Sequence, residues 1–219
     1  MTVRASQLAA LADALAAVLP LTEPADAVLR VFFRRHHEMG QHDRAFVAEG
    51  VYTVLRRLRS LTAQAGDQTP RHLAIAVTVR DLGISLRELE PVLAPEEMAW
   101  AKSFKARKAE LTPAAAAELP DWLWDKLGAT LPAEERDALA RAWLAPAPLD
   151  LRVNTLRMKR EEAQAALAAD GIVAEPTAYS PLGLRVVGTP ALQQHPLFAY
   201  GAIEVQDESS QLLGFLVAP

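Results

Sequence analysis

The spacing of apolar residues changes once along this chain, and that change limits the folds open to it. Up to about residue 144 apolar side chains recur at the three- and four-residue intervals of amphipathic helices. Beyond Ala145-Pro146-Ala147-Pro148 they alternate in short runs, which is the period of strands. Two prolines in four residues restrain the backbone to an extended link. The expectation is therefore a multi-domain chain, α then α+β: an all-helical bundle followed by a small two-layer domain.

Within the helical part, Leu8, Leu11, Leu15 and Val18 define a first helix over 8–19 that ends at Pro20. Arg4 ahead of this stretch imitates a signal peptide, but Asp13 sits in its middle and the spacing is helical. A second helix is expected over 24–39, closed by Gly40, and a third from Asp43 as N-cap to about residue 61. Residues 72–82 are apolar without a clean period, which suggests a buried helix. Ser85 and Glu88 have capping-box spacing, and Pro95 and Pro132 suit the first turns of helices over 95–108 and 132–144. Residues 121–128 read as a short helix closed by Gly128. Further on, strands are expected over 151–155, 172–174, 184–187 and 202–206. A helix spans 160–169, and Asp207 caps a last helix carrying Leu212, Leu213 and Phe215.

Composition narrows the chemistry. There are 219 residues and 0 Cys, so a disulfide framework, a zinc-thiolate site and a cysteine nucleophile are excluded within this chain. The lack of cysteine fits a reducing, cytoplasmic setting. A net charge of −4 excludes a globally basic nucleic-acid coat but leaves room for a local basic face. No apolar run approaches the ~18 residues of a membrane span. His37-Glu38-Met39-Gly40-Gln41-His42 nearly imitates H-E-x-x-H, but the second His is five residues on and Gly40 interrupts the helix. No metal site is expected, and no catalytic residue stands out. The four Trp (100, 122, 124 and 143) suggest core or domain packing.

Three basic clusters remain. Seven arginines, Arg44, Arg56 and Arg57 among them, fall between residues 30 and 59 against three acids (Glu38, Asp43 and Glu49). Lys102, Lys105, Arg107 and Lys108 form a second cluster, and Arg152, Arg157, Lys159 and Arg160 a third. Such groups are either ordinary solvated faces or tracks for a phosphate backbone. Asn154, beside the third, either offers its amide to RNA or bonds its own backbone at a strand end. No aromatic-interleaved pattern for stacking RNA on a sheet accompanies this cluster.

Two stretches carry a family resemblance. Pro148-Leu149-Asp150-Leu151-Arg152-Val153-Asn154-Thr155-Leu156, and about fifty residues later Gly201-Ala202-Ile203-Glu204-Val205-Gln206-Asp207-Glu208-Ser209-Ser210-Gln211-Leu212, resemble the RsmB/NOL/Sun family of S-adenosylmethionine-dependent RNA cytosine-C5 methyltransferases. Asp43-Arg44-Ala45-Phe46 with Val54-Leu55-Arg56-Arg57, and Leu119-Pro120-Asp121-Trp122-Leu123, are similar to the NusB-like domain of its bacterial members and to the segment leading out of it.

The resemblance implies a NusB-like domain over 1–147, a small ferredoxin-like pre-catalytic domain over 148–206, and over 207–219 the first helix of a Rossmann-like methyltransferase domain. It implies RNA, chiefly rRNA, as partner, with Arg152, Asn154, Arg157, Lys159, Arg160, Arg44, Arg56 and Arg57 facing it. Gln206, Asp207 and Glu208 are matched to the family motif, near the active-site cleft. In the family a Gly-rich loop for the methyl donor and two cysteines follow that motif, one thiolate adding to the ring while carbon 5 takes the methyl. This sequence carries neither, so it is expected to hold no cofactor and to be inactive alone, as the front part of such an enzyme. The last helix is expected to expose Leu212, Leu213 and Phe215 and to offer a surface for self-association. A stand-alone NusB-like RNA- or protein-binding module is the alternative.

Overall fold

A computed structural model describes residues 3–145, 147–188, 190 and 192–217. Pro146, in the expected proline link, and the last two residues lie outside the described residues. The chain divides into two compact units, Met1–Leu144 and Ala145–Pro219.

The first unit is helical: α1 (Ala5–Val18), α2 (Ala25–Arg35), α3 (Gln41–Arg56), α4 (Leu58–Ala65), α5 (Pro70–Arg80), α6 (Leu86–Leu89), α7 (Pro95–Ala106), α8 (Pro113–Ala116), α9 (Asp121–Thr130) and α10 (Ala133–Trp143). Helix α5 lies at its centre, packed by α1, α3, α4 and α7. Six consecutive residues, Leu73 to Thr78, are buried, so no polar stripe marks a solvent face. The one hydroxyl in that run, Thr78, donates to the Ala74 carbonyl at 2.7 Å. On α7, Trp100 is sandwiched between His72 and Phe104 at centroid distances of 4.1 and 5.4 Å. Trp122 and Trp143 are exposed, against the expectation of packed tryptophans.

Several helix boundaries differ from the sequence expectation. Helix α2 stops at Arg35, four residues early, and Gly40 begins α3 instead of closing α2. The reason is Arg44: its Nε donates to the Met39 carbonyl at 2.9 Å, which holds the chain in a loop where α2 would have continued. Asp43 is inside α3, not its cap. Its Oδ1 accepts from Gln7 at 2.9 Å and from Arg4, tying α3 to α1. The expected long third helix breaks at Arg57, and the new helix α4 is capped from a distance. Glu118 Oε2 accepts from the backbone N–H groups of Arg59 (3.0 Å) and Ser60 (3.2 Å). Gly128 lies within α9, which runs on to Thr130.

The second unit contains β1 (Leu149–Val153), α11 (Arg160–Ala169), β2 (Ala174–Pro176), β3 (Gly183–Val186), a 3₁₀ turn (Leu192–Gln194), α12 (Pro196–Ala199), β4 (Ile203–Val205) and α13 (Glu208–Val217). The sheet order is β2-β3-β1-β4 with every neighbour antiparallel, the order of two interleaved split βαβ units, as in ferredoxin-like domains. Leu151, Val153, Leu184, Val186 and Ile203 form one face and pack with Ala163, Leu167 and Leu192. The other face carries opposite charges on paired strands: Asp150 against Arg185, and Arg152 against Glu204. Strand β2 starts two residues later than expected because Gly171 (φ 76°) and Ile172 close α11. The Ile172 N–H donates to the Leu167 carbonyl at 2.9 Å.

Candidate functional site

Strand β1 runs antiparallel to both β3 and β4, with Arg152 opposite Gly183 and Val153 opposite Ile203. The β1–α11 loop, the β2–β3 turn and the α12–β4 turn therefore meet at one end of the sheet. Asn154 joins two of them. Its N–H donates to the Ala202 carbonyl (2.8 Å) and its Nδ2 to the Gly201 carbonyl (3.1 Å), while its Oδ1 accepts from the Leu156 N–H (3.2 Å). Asn154 thus bonds backbone through its N–H, its Nδ2 and its Oδ1. Gly201 sits at φ 73°, a conformation costly for other L-residues, and there presents its carbonyl to that amide.

The loop held this way projects Leu156, 96% exposed, next to Arg157. The Arg157 guanidinium lies over the Tyr200 ring at 4.4 Å, and Tyr200 is itself 62% exposed. Tyr200 escaped the sequence reading; its one signal was an aromatic placed before a turn glycine, 43 residues away from Arg157. Lys159 is exposed at the N-cap of α11, where its backbone N–H donates to Glu162 at 2.8 Å. Arg152 pairs with Glu204 at 2.6 Å beside a depression of about 340 Å³ lined by Asn154, Phe198 and Gly201. Arg160 reaches Glu161 at 3.4 Å.

On α3, Arg44 and Arg56 do not share one face. Arg44 and Arg56 are twelve residues apart on α3, which is about 18 Å along the axis and about 120° around it. Arg44 is committed to the α2–α3 loop. Arg56 and Arg57 are half-buried where α3 gives way to α4. In the second cluster, Arg107 donates to the Gln64 and Ala65 carbonyls at the end of α4.

The Gln206–Gln211 motif bonds chiefly to its own unit. Asp207 caps α13 by accepting from the Ser209 N–H at 2.8 Å, and its carboxyl is held below the usual range by the Ser209 hydroxyl and N–H. Glu208 is buried and accepts from the N–H groups of Tyr179 (2.6 Å) and Ser180 (2.9 Å) in the β2–β3 turn. Gln211 accepts from the Ser180 hydroxyl at 2.7 Å and donates to the Gln206 carbonyl at 2.8 Å. The Gln206 Oε1 is buried without a hydrogen-bond partner among the described residues. These bonds fasten the start of α13, while Leu213, Phe215 and Leu216 at its other end are exposed.

The backbone N–H groups of Ser180, then Tyr179, hold the Glu208 carboxyl below its ordinary value of 4.5. A depressed folded-state pKa contributes stability that is full above the unfolded value and is lost as pH falls through the folded one. Protection of the Tyr179 and Ser180 amides against hydrogen exchange, after correction for intrinsic rates, should therefore be full above the ordinary value of 4.5 and fall as pH drops below it. Glu208→Gln should abolish that step. A step that persists in E208Q would assign it to another carboxylate.

His195 Nε2 meets Asp170 at 3.0 Å, but its Nδ1 accepts from the Leu197 N–H at 3.2 Å, so neither nitrogen is open to activate a nucleophile. His37 lies in the α2–α3 loop and His42 in α3. Among the described residues no three His, Asp or Glu side chains are grouped to hold a metal, and no helix is long and apolar enough to cross a membrane.

Residues 119–193 match the model of the RsmF/B-like methyltransferase ferredoxin-like domain. Two curated relatives are ribosomal RNA small subunit methyltransferases B. The chain is 36% identical to the probable enzyme of Synechocystis over 101 residues, 46% of this chain and 23% of that protein. It is 37% identical to the Pasteurella multocida enzyme over 100 residues, 46% of this chain and 22% of that protein. The matched segments thus span less than a quarter of these relatives. The crystal structure of PH0851 superposes with a TM-score of 0.68 at 16% identity, over 100% of this chain and 56% of that one, a likeness of fold.

Proposed function

From a chain that carries the ferredoxin-like domain of the RsmF/B-like methyltransferases and resembles an N-terminal part of the RsmB-type proteins, we propose that it binds rRNA and orients it for methyl transfer to cytosine C5. The observation that carries this reading is the sheet end described above, where a loop pinned by Asn154 holds Arg157 and Lys159 outward. Arginine and lysine there suit phosphate, and a pinned loop loses little further entropy on binding. The helical unit is proposed to be NusB-like and to add a second RNA contact, and the site of action to be the cytoplasm.

S-adenosylmethionine is the methyl donor that the family resemblance implies. The described residues do not fit it: the sheet is antiparallel throughout, and no Gly-rich turn leads from a strand into a helix. The role proposed for these residues is to bind and orient RNA.

RNA binding through several phosphates should weaken about tenfold or more between 50 and 200 mM salt. The double variant Arg157→Gln/Lys159→Gln should bind more weakly and flatten the log–log salt slope by about 1.4, two phosphates on a single strand. Fluorescence anisotropy with a labelled rRNA fragment measures both. Binding that is absent, or indifferent to salt and to these two residues, would sink this reading and favour a module that binds protein.

A further inference from the structure

We propose that Tyr200 and Arg157 form a stacking site for one unpaired nucleobase, an inference that rests on the RNA-binding role proposed above. It specifies what the sheet end recognises: a base turned out of a helix or lying in a single strand, and not duplex backbone alone.

Three observations carry it. First, Tyr200 is 62% exposed although Phe198, two residues earlier, is half-buried against the second core. The ring therefore contributes little to the core of this unit and keeps most of its surface in water. Second, the Arg157 guanidinium carbon already lies over that ring, 4.4 Å from its centroid. A planar cation resting on an aromatic surface extends it, and a base can lie on either plane while the positive charge attracts the adjoining phosphate. Third, the two residues are held from behind. The Asn154 carbonyl accepts from the Arg157 N–H at 2.9 Å, and Asn154 Nδ2 holds the Gly201 carbonyl at 3.1 Å, next to Tyr200. The stacking surface is thus built before any ligand arrives. Leu156, 96% exposed on the same loop, adds an apolar edge beside the plane.

Charge and stacking separate in the test. The full chain is titrated with a short single-stranded RNA carrying 2-aminopurine, whose fluorescence is quenched on stacking, and with a duplex of the same sequence. Quenching is expected on binding of the single strand. Tyr200→Ala should weaken single-strand binding about tenfold, abolish the quenching and leave the salt slope unchanged. Tyr200→Phe should keep both affinity and quenching, because the ring is what stacks. Arg157→Gln should lower affinity and flatten the slope. Duplex binding should be indifferent to Tyr200→Ala. If Y200A binds the single strand with wild-type affinity and quenching, the stacking site is overturned while RNA binding stands. If the wild-type chain binds neither RNA, both proposals fall together.

Discussion

Replacing Arg185 by Ala is expected to destabilise the second unit by about 3 kcal/mol. The Asp150 carboxylate is fully buried, and both its oxygens accept from Arg185, Nε at 2.8 Å and Nη2 at 2.8 Å. Arg185 keeps 47% of its side chain in solvent, so the two partners are unequal. Removing the arginine leaves a buried charge without its bidentate donor, which is the costly direction. Asp150→Ala should cost less, since the freed guanidinium turns to water. Arg185→Ala/Asp150→Asn should recover much of the loss, because the charge is gone. Arg185 also lies 3.9 Å from Glu208, so the attachment of α13 should loosen in R185A. All four tryptophans precede residue 144 and report on the first unit. Exchange of the β1 and β3 amides is therefore the readout for this one. A cost for R185A below that of D150A would show that the ion pair is not what keeps the carboxylate in place.

In the first unit the largest effect is expected where α1 crosses α3. A Cβ built on Gly50 would lie 2.7 Å from both Leu11 methyl carbons, and Leu11 is fully buried. Gly50→Val should cost about 3 kcal/mol through overpacking, despite the better helix propensity of a residue with a side chain. Leu11→Ala should cost about 3 kcal/mol by leaving a cavity. Because the valine would occupy that cavity, the double variant should be at least about 1 kcal/mol more stable than the sum of the single effects. Urea unfolding followed by tryptophan fluorescence measures the cycle. Additive losses would mean that Leu11 is not the side chain the new methyl groups meet.

What was legible in the sequence is local. The Ser85 and Glu88 capping box forms as its spacing implies, with Glu88 N–H donating to Ser85 Oγ at 3.2 Å and Ser85 N–H to Glu88 Oε2 at 2.9 Å. Helix α11 spans Arg160–Ala169 as expected, because good helix formers fill it and Asp170-Gly171 ends it. The aperiodic stretch expected as a buried helix over 72–82 falls largely in α5 (Pro70–Arg80), buried over its middle from Leu73 to Thr78. The third basic cluster was visible because its four cations lie within nine residues.

Misplaced boundaries share a cause. The start of α4 depends on Glu118, 59 residues beyond Arg59, and the end of α2 on a guanidinium from the next helix. Arg44 is only five residues from Met39, but the direction of its side chain is set by the fold, and Glu118 lies outside any local window. The same holds for Tyr200 and Arg157, and for the role of Asn154, which turns on a carbonyl 47 residues away.

The sequence by itself determined the two halves, the helical and alternating periods within them, the absence of a thiol and the family motifs, because each is written in neighbouring residues. Only the tertiary structure decided which charges are held in bonds and which face water, and that a tyrosine meets an arginine at the sheet end. The first depends on the packing of helices as well as of strands and the second on antiparallel strand pairing, each bringing residues tens of positions apart to within a few ångströms, and the energy of such pairs is set by burial and geometry that exist only once the chain has folded.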